Sequence, residues 1–200
     1  MADLLKLARE IAALAQAGLA YTRDAYDRER FLRLREIAGE LLRSEAAVPP
    51  FAWPVEPGYP TPKVDVRAVV FHEEQVLLVK ERSSGLWTVP GGWADVNLSP
   101  AQNAEKECLE ESGYRVRARV ITSVKDRDLA GYPPHPFAIY KIYFLCDFLG
   151  GEAASSVETH EASFFPLNAL PPLDPHRNCE TEIRHAFRIW KGEVPSADFN

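Results

Sequence analysis

The sequence predicts an α/β protein in residues 63–200, with strands and two helices around one core, preceded by a small helical hairpin. Three observations carry this. Residues 64–71 and 75–82 are β-rich runs on either side of a short polar turn, a hairpin signal. A fully signed helix follows Ser99. Ahead of both, apolar residues recur at helical spacing until a cluster of prolines stops the pattern.

In chain order, Leu4, Leu7, Ile11 and Leu14 form one helical stripe, and Phe31, Leu34, Ala38 and Leu41 form a second. Gly18 and the polar stretch 22–27 mark the bend between them. Two amphipathic helices bury too little apolar surface to be stable alone. The hairpin, residues 1–46, must therefore cover its stripes on the rest of the chain or on a second subunit. Residues 47–62 read as a linker, because six prolines fall between Pro49 and Pro62, which neither a helix interior nor a central strand tolerates. Phe51, Trp53 and Tyr59 predict that this linker lies along a surface.

Beyond the first two strands, residues 86–90 are strand-like and lead into Gly91-Gly92. Ser99 is the N-cap of the next helix, Pro100 takes its first position, Gln102 completes a capping box and Gly113 supplies a left-handed end. Ala101, Ala104, Cys108 and Leu109 give that helix an apolar side. Residues 114–126 and 137–149 read as two longer strands, and the loop 127–136 between them holds Gly131 and three prolines. Residues 160–165 form a short extended piece, and a last helix spans 179–190.

Composition sets limits on function. Two hundred residues with 46% hydrophobic content suffice for one full core and an appendage. A formal net charge of −6 argues against general nucleic-acid binding, which asks for a basic surface. Cys108, Cys146 and Cys179 are odd in number and widely spaced, so they predict reduced thiols in a cytoplasmic protein, with neither a disulfide framework nor a zinc site. Charged residues among the first leucines rule out a signal peptide or membrane span there.

The chemistry is concentrated after the diglycine. Glu107, Glu110 and Glu111 fall at i, i+3 and i+4, on one helical face, where like charges repel unless a cation sits among them. Hard oxygen ligands in such a group suit Mg²⁺ or Mn²⁺ with substrate phosphates. Taken alone, three Glu read first as a solvated surface helix. The diglycine at fixed distance ahead tips the balance, since backbone without Cβ atoms lets a metal or phosphate approach closely.

The segment from Gly92 to Tyr114 resembles the Nudix box, the signature of hydrolases that cleave nucleoside diphosphates linked to another group. Gly92, Glu107, Glu110, Glu111 and Gly113 stand where the signature places them. Leu98 replaces an early Glu, Lys106 replaces an Arg, and Cys108 and Tyr114 replace bulky aliphatics. The resemblance implies a Nudix α/β/α sandwich with a mixed sheet. Read whole, the chain is similar to the CDP-choline pyrophosphatase branch: a helical N-terminal region, then residues 61–70, then 90–96, with Leu98-Ser99-Pro100 in place of the early Glu. That likeness implies action on a small molecule linked to a nucleoside diphosphate, CDP-choline above others, with ADP-ribose, dinucleoside polyphosphates or a purely nucleotide-binding regulatory role as alternatives; the apolar helical stripes that need covering predict a homodimer through residues 1–46.

The roles that follow from the resemblance are these. Glu107, Glu110 and Glu111, with the Gly91 carbonyl, hold Mg²⁺ or Mn²⁺. Glu161 serves as base, with Glu107 the competitor and Glu158 its near neighbour in sequence. Arg67 and Arg82 meet phosphates, while Trp93 or Tyr132 faces a base or a choline cation. Lys80, Lys125 and Lys141 read equally well as solvated strand charges, Trp87 as core and His135 as a loop residue.

Overall fold

A computed structural model describes residues 3–44, 56, 58–195 and 197–200. The chain divides into two compact units, Met1–Lys63 with Pro134–Ala138, and Val64–Pro133 with Ile139–Asn200.

The first unit is built on α1 (Leu4–Tyr21) and α2 (Ala25–Ser44). Asp3 caps α1 by accepting the Lys6 N–H at 3.2 Å, and the Thr22 N–H closes the other end on the Gly18 carbonyl. The seam differs from the leucine stripe that the spacing suggests. Leu5, Ala8, Ala12 and Ala15 are buried, whereas Leu4, Leu7 and Leu14 are 44%, 40% and 62% exposed. Alanines let two helices approach closely, so the small residues take the seam and the leucines turn outward. Gly18 lies within α1 and does not mark its end: a Cβ there would stand 2.4 Å from the Phe31 ring, so glycine makes room for that ring. Most of the 47–62 linker falls outside the described residues, Phe51 and Trp53 included; Tyr59 is exposed. Pro134–Ala138 joins this unit through Lys63 N–H on the Ala138 carbonyl at 3.0 Å and through the Arg9 guanidinium on the His135 carbonyl.

The second unit carries β1 (Lys63–His72), β2 (Gln75–Glu81), β3 (Trp87–Thr88), α3 (Pro100–Ser112), β4 (Tyr114–Asp126), β5 (Ile139–Gly151), β6 (Thr159–Pro166), α4 (Glu180–Trp190) and β7 (Asp198–Phe199). The sheet runs β3-β2-β1-β5-β4-β7, with β6 paired antiparallel to β2. Side chains alternate faces along each strand. Val66, Ala68, Val70, Leu77 and Val79 meet Ala104 and Cys108 of α3 on one face. Val69, Phe71, Val76 and Leu78 meet Ile183 and Ala186 of α4 on the other. The sheet is thus sandwiched between helices, in the α/β/α order that the family resemblance implies. The short β7 is unforeseen. It pairs parallel to the edge of β4, with Ser123 beside Asp198, and is too short for any periodicity to show.

The signals around α3 are all used. Gln102 N–H donates to Ser99 Oγ at 3.2 Å, and Ser99 N–H donates to Gln102 Oε1 at 2.9 Å. Gly113 ends the helix at φ 78°, and a Cβ there would lie 2.3 Å from the Glu152 carbonyl oxygen. Gly113→Ala therefore meets both a left-handed backbone, costing about 1–2 kcal/mol, and a backbone clash. Urea unfolding should show a loss larger than the backbone cost alone, whereas Gly85→Ala, at φ 70° with open space around it, should show only that cost.

Candidate active site

The diglycine segment is laid directly on β1. Val66 N–H donates to the Gly92 carbonyl at 2.8 Å, Ala68 N–H to the Pro90 carbonyl at 2.8 Å, and Ala94 N–H to the Val64 carbonyl at 2.9 Å. Gly91 sits at φ 142°, and a Cβ on it would lie 2.1 Å from the Val66 carbonyl oxygen and 2.8 Å from the Arg67 Cα. No other residue fits there. From this position the Gly91 N–H donates to Glu111 Oε2 at 2.9 Å, and a Cβ on Gly92 would lie 3.2 Å from Glu107 Oε2. Two box carboxylates therefore face bare backbone.

The three glutamates differ in environment. Glu111 is buried, Glu107 is half-buried and Glu110 is exposed, while Leu109, read from the sequence as part of the packed side, is exposed. Burial pushes Glu111 up to about 7, and nearby Glu107 and Glu81 add to this; the Arg67 charge and the Gly91 N–H oppose it. Burial raises Glu107 too, with Lys106 opposing and the charges of Glu110 and Glu158 adding.

Among the described residues, no three His, Cys, Asp and Glu side chains converge as a ready cation cage. The Lys106 ammonium lies among the acids instead, 2.7 Å from Glu110 Oε2, 3.3 Å from Glu107 Oε1 and 3.3 Å from Asp95 Oδ2. The donor set nevertheless fits a hard divalent cation. Glu111 Oε1 is buried without a hydrogen-bond partner, a costly state for a carboxylate oxygen. The glutamates already gather around a positive charge, and their ligand atoms are all oxygen.

The structure does not bring Glu161 to this group. Ala162 and Phe164 point to the α3 face and Phe165 to the α4 face, so Glu161, an odd position opposite Lys80 on β2, stands on the side away from α3. Its neighbour Glu158 is the one whose charge acts on Glu107 and Glu81. Glu81 itself was not singled out by sequence reasoning. It continues the alternation of Leu77 and Val79, which was the available signal, and is buried on the α3 side of β2.

The basic and aromatic residues also separate. Arg67 is buried, with Nε 2.7 Å from Asp65 Oδ1 and Nη2 2.8 Å from Oδ2, so it is not placed to meet a phosphate. Lys141 Nζ shares the same carboxylate at 3.1 Å and is also buried, which excludes the reading of a solvated charge. Burial alone would raise Asp65, but Arg67 and Lys141 hold it below the usual range. Tyr132 is buried and its hydroxyl lies 2.7 Å from that of Tyr143, which removes it as a stacking platform. Lys125 is paired with Asp198 at 2.6 Å. Arg82 is exposed and tied to the Ser156 carbonyl and to His160. Trp93 is 49% exposed beside the diglycine.

Asn103 answers the altered loop. Buried in the first half of α3, it accepts the Asp95 N–H at 2.9 Å and turns its own amide to the carbonyls of Asp95, Leu98 and Ser99. It and the Lys106–Asp95 pair hold the loop that Leu98 cannot brace by charge. An asparagine inside a helix is a poor helix former, and that was the sequence signal.

Residues 61–187 match the NUDIX domain family, and residues 2–51 match a family described as a UDP-X-like, N-terminal oligomerisation domain. The chain belongs to the Nudix family and is a pyrophosphatase of that family. It is 42% identical over 187 residues to a putative ADP-ribose pyrophosphatase, YjhB, of Bacillus subtilis, covering 92% of this chain and 90% of the relative. Among solved structures it resembles an ADP-ribose pyrophosphatase from Streptococcus suis, at 36% identity and TM-score 0.64, covering 70% of this chain and 100% of that one. It also resembles a UDP-X diphosphatase at 26% identity and TM-score 0.64, over 98% and 97% of the two chains.

Burial and the nearby Arg67 charge lower Lys141 from 10.5 to about 7. Between those values the unfolded chain binds a proton that the folded one does not, so this lysine makes stability rise with pH. Urea unfolding at pH 7 and pH 9 should show that rise, and Lys141→Met should flatten it.

Proposed function

We propose that this chain hydrolyses the pyrophosphate of a nucleoside diphosphate linked to a small organic group, with Mg²⁺ or Mn²⁺ held by Glu107, Glu110 and Glu111 and by the Gly91 carbonyl. The observation that carries the reading is the seating of Glu111 and Glu107 against the bare Gly91-Gly92 backbone, with Glu111 Oε1 buried and unpartnered. When bound, the cation supplies charge neutralisation at the phosphates and lowers the pKa of a bound water. The protein holds the geometry. The Gly91 N–H fixes one Glu111 oxygen and leaves the other for ligation. Lys106 keeps Glu107 and Glu110 together, at 3.3 and 2.7 Å. With Glu161 turned away, Glu107 is the carboxylate left to accept the proton of the attacking water, and the charge of Glu158 acts on it. Trp93 and the exposed Tyr140 offer aromatic faces to a base or a quaternary ammonium. Arg82 remains a phosphate contact by its exposure.

For the linked group, the whole-chain resemblance supports CDP-choline, cleaved to CMP and phosphocholine. ADP-ribose is the second reading, favoured by the names of the Bacillus subtilis and Streptococcus suis relatives. Its free cysteines support a cytoplasmic location, since they suit a reducing compartment; no helix among the described residues is long and apolar enough to cross a membrane.

Activity should vanish with EDTA and return with Mg²⁺ or Mn²⁺. Glu110→Gln and Glu111→Gln should each lose at least about two orders of magnitude in kcat, the scale of removing one main electrostatic group; near-normal turnover in either rejects the site. In the same assay, a kcat/KM for ADP-ribose more than roughly tenfold above that for CDP-choline rejects the choline branch and leaves the hydrolase standing.

The outward leucines of α1 support a homodimer through residues 1–46, since two-fold pairing is the commonest way to cover such a stripe. Light scattering at micromolar concentration should give a dimer, and a double substitution Leu7→Glu with Leu14→Glu should give a monomer. A monomeric wild-type protein overturns the assignment.

A further inference from the structure

Arg177 is missed by every sequence signal used above, and its surroundings are unusually well built. The turn that carries it is pinned at several points. Asp174 N–H donates to the Trp87 carbonyl at 2.8 Å, Ser84 Oγ donates to Asp174 Oδ2 at 2.8 Å, and the N–H groups of Arg177 and Asn178 both return to the Asp174 carbonyl at 3.1 Å. The Asn178 side chain accepts the Val89 N–H at 2.9 Å. Val89 is two residues before Gly91, whose own N–H holds Glu111. Two residues of extended chain span only about 7 Å. The Arg177 turn and the metal-site carboxylate are therefore anchored to neighbouring points of one strap.

The guanidinium is steered by a second device. Arg177 Nε lies 3.1 Å from Oε1 of Glu81, which is 1% exposed on the α3 side of β2. Glu81 in turn shares its electrostatic surroundings with Glu111 and with Glu158. Neutralising a buried acid does not exhaust what this arginine offers. Arg177 carries five N–H donors in a planar fork, and among the described residues its side chain makes no hydrogen bond while remaining 31% exposed. Glu81 Oε1 likewise makes none. An arginine tethered at Nε by charge, with both Nη groups unspent beside a carboxylate site, has the geometry for two phosphate oxygens.

We propose that Arg177 is a substrate-phosphate contact of this hydrolase and that the buried Glu81 is the residue that positions it. The inference rests on the hydrolase reading, and it assigns the ligand as the diphosphate portion of the substrate, whichever group is linked to it. Lysine at 177 keeps the charge beside Glu81 and loses the fork; glutamine at 177 keeps a polar stem; Glu81→Gln keeps the shape and releases the tether.

The test uses the full-length protein and three readouts: steady-state kinetics on the wild type's preferred substrate, calorimetric binding of inorganic pyrophosphate with Mg²⁺, and Mn²⁺ binding followed by electron paramagnetic resonance. Arg177→Lys and Arg177→Gln should each raise KM and the pyrophosphate Kd about tenfold, the lower end for a lost hydrogen bond to a charged group. Mn²⁺ affinity should stay near wild type in both, the thermal midpoint should stay near wild type in Arg177→Lys, which keeps the charge beside Glu81, and Glu81→Gln should raise KM in the same direction. Wild-type KM and pyrophosphate affinity in both Arg177 variants would make the pair purely structural and overturn the proposal. Weakened Mn²⁺ binding in Glu81→Gln would also overturn it, by making Glu81 part of the metal site. A wild-type protein that hydrolyses no nucleoside diphosphate-linked compound removes the hydrolase reading first, so the two failures are distinguishable.

Discussion

The site depends on one contact: the Gly91 N–H on Glu111, made possible because Gly91 can lie flat on β1. Glu111 is buried against the sheet, where an ionised carboxylate costs several kcal/mol unless it is paired or hydrogen-bonded. A single backbone donor satisfies half of it. The other oxygen is left facing inward without a partner. That unresolved demand is what the proposed divalent cation would answer, by reducing the repulsion between glutamates and giving the orphan oxygen a partner.

Beneath the strap lies a second charged group with the opposite character. Asp65 receives both arms of Arg67 and the ammonium of Lys141, and all three are buried on the side of the sheet away from α3. Buried ion pairs are weak contributors to net stability but severe penalties when broken. Their value here is placement. Arg67 Nη1 reaches Thr88 Oγ1 and the Val89 carbonyl at 3.5 and 3.4 Å, so the strap is held on the β1 side by Arg67 and on its outer side by Asn178. A strap fixed from both sides keeps the Gly91 N–H aimed at Glu111.

Much of this was legible in the sequence because local signals and tertiary demands agree. Ser99, Pro100, Gln102 and Gly113 each do in the structure what their chemistry says they should. The strands were legible for the same reason, alternation of the core faces. The failures share a cause. Sequence spacing reports which residues share a face, but not which face is buried. On α1 the leucines form the outward stripe, and the seam against α2, which spacing did not mark, takes the smaller alanines. Arg67, Lys141 and Tyr132 look like available surface groups in a strand or loop, and only the fold shows that Arg67 and Lys141 share the buried Asp65 and that Tyr132 meets Tyr143.

Glu158 and Glu161 show how fine that limit is. The two lie three residues apart at the start of β6, where the pairing with β2 shifts between Lys80 and Glu81. Glu161 stands one residue before Ala162, which packs toward α3, so alternation alone turns it to the opposite face. The shift places Thr159 opposite Glu81, and the Thr159 hydroxyl donates to the Glu111 carbonyl at 2.6 Å, drawing the start of β6 toward the end of the carboxylate helix. Glu158, one residue earlier, is the acid whose charge acts on Glu107 and Glu81. The tie between β6 and the helix is a tertiary contact that no pattern of residue types announces.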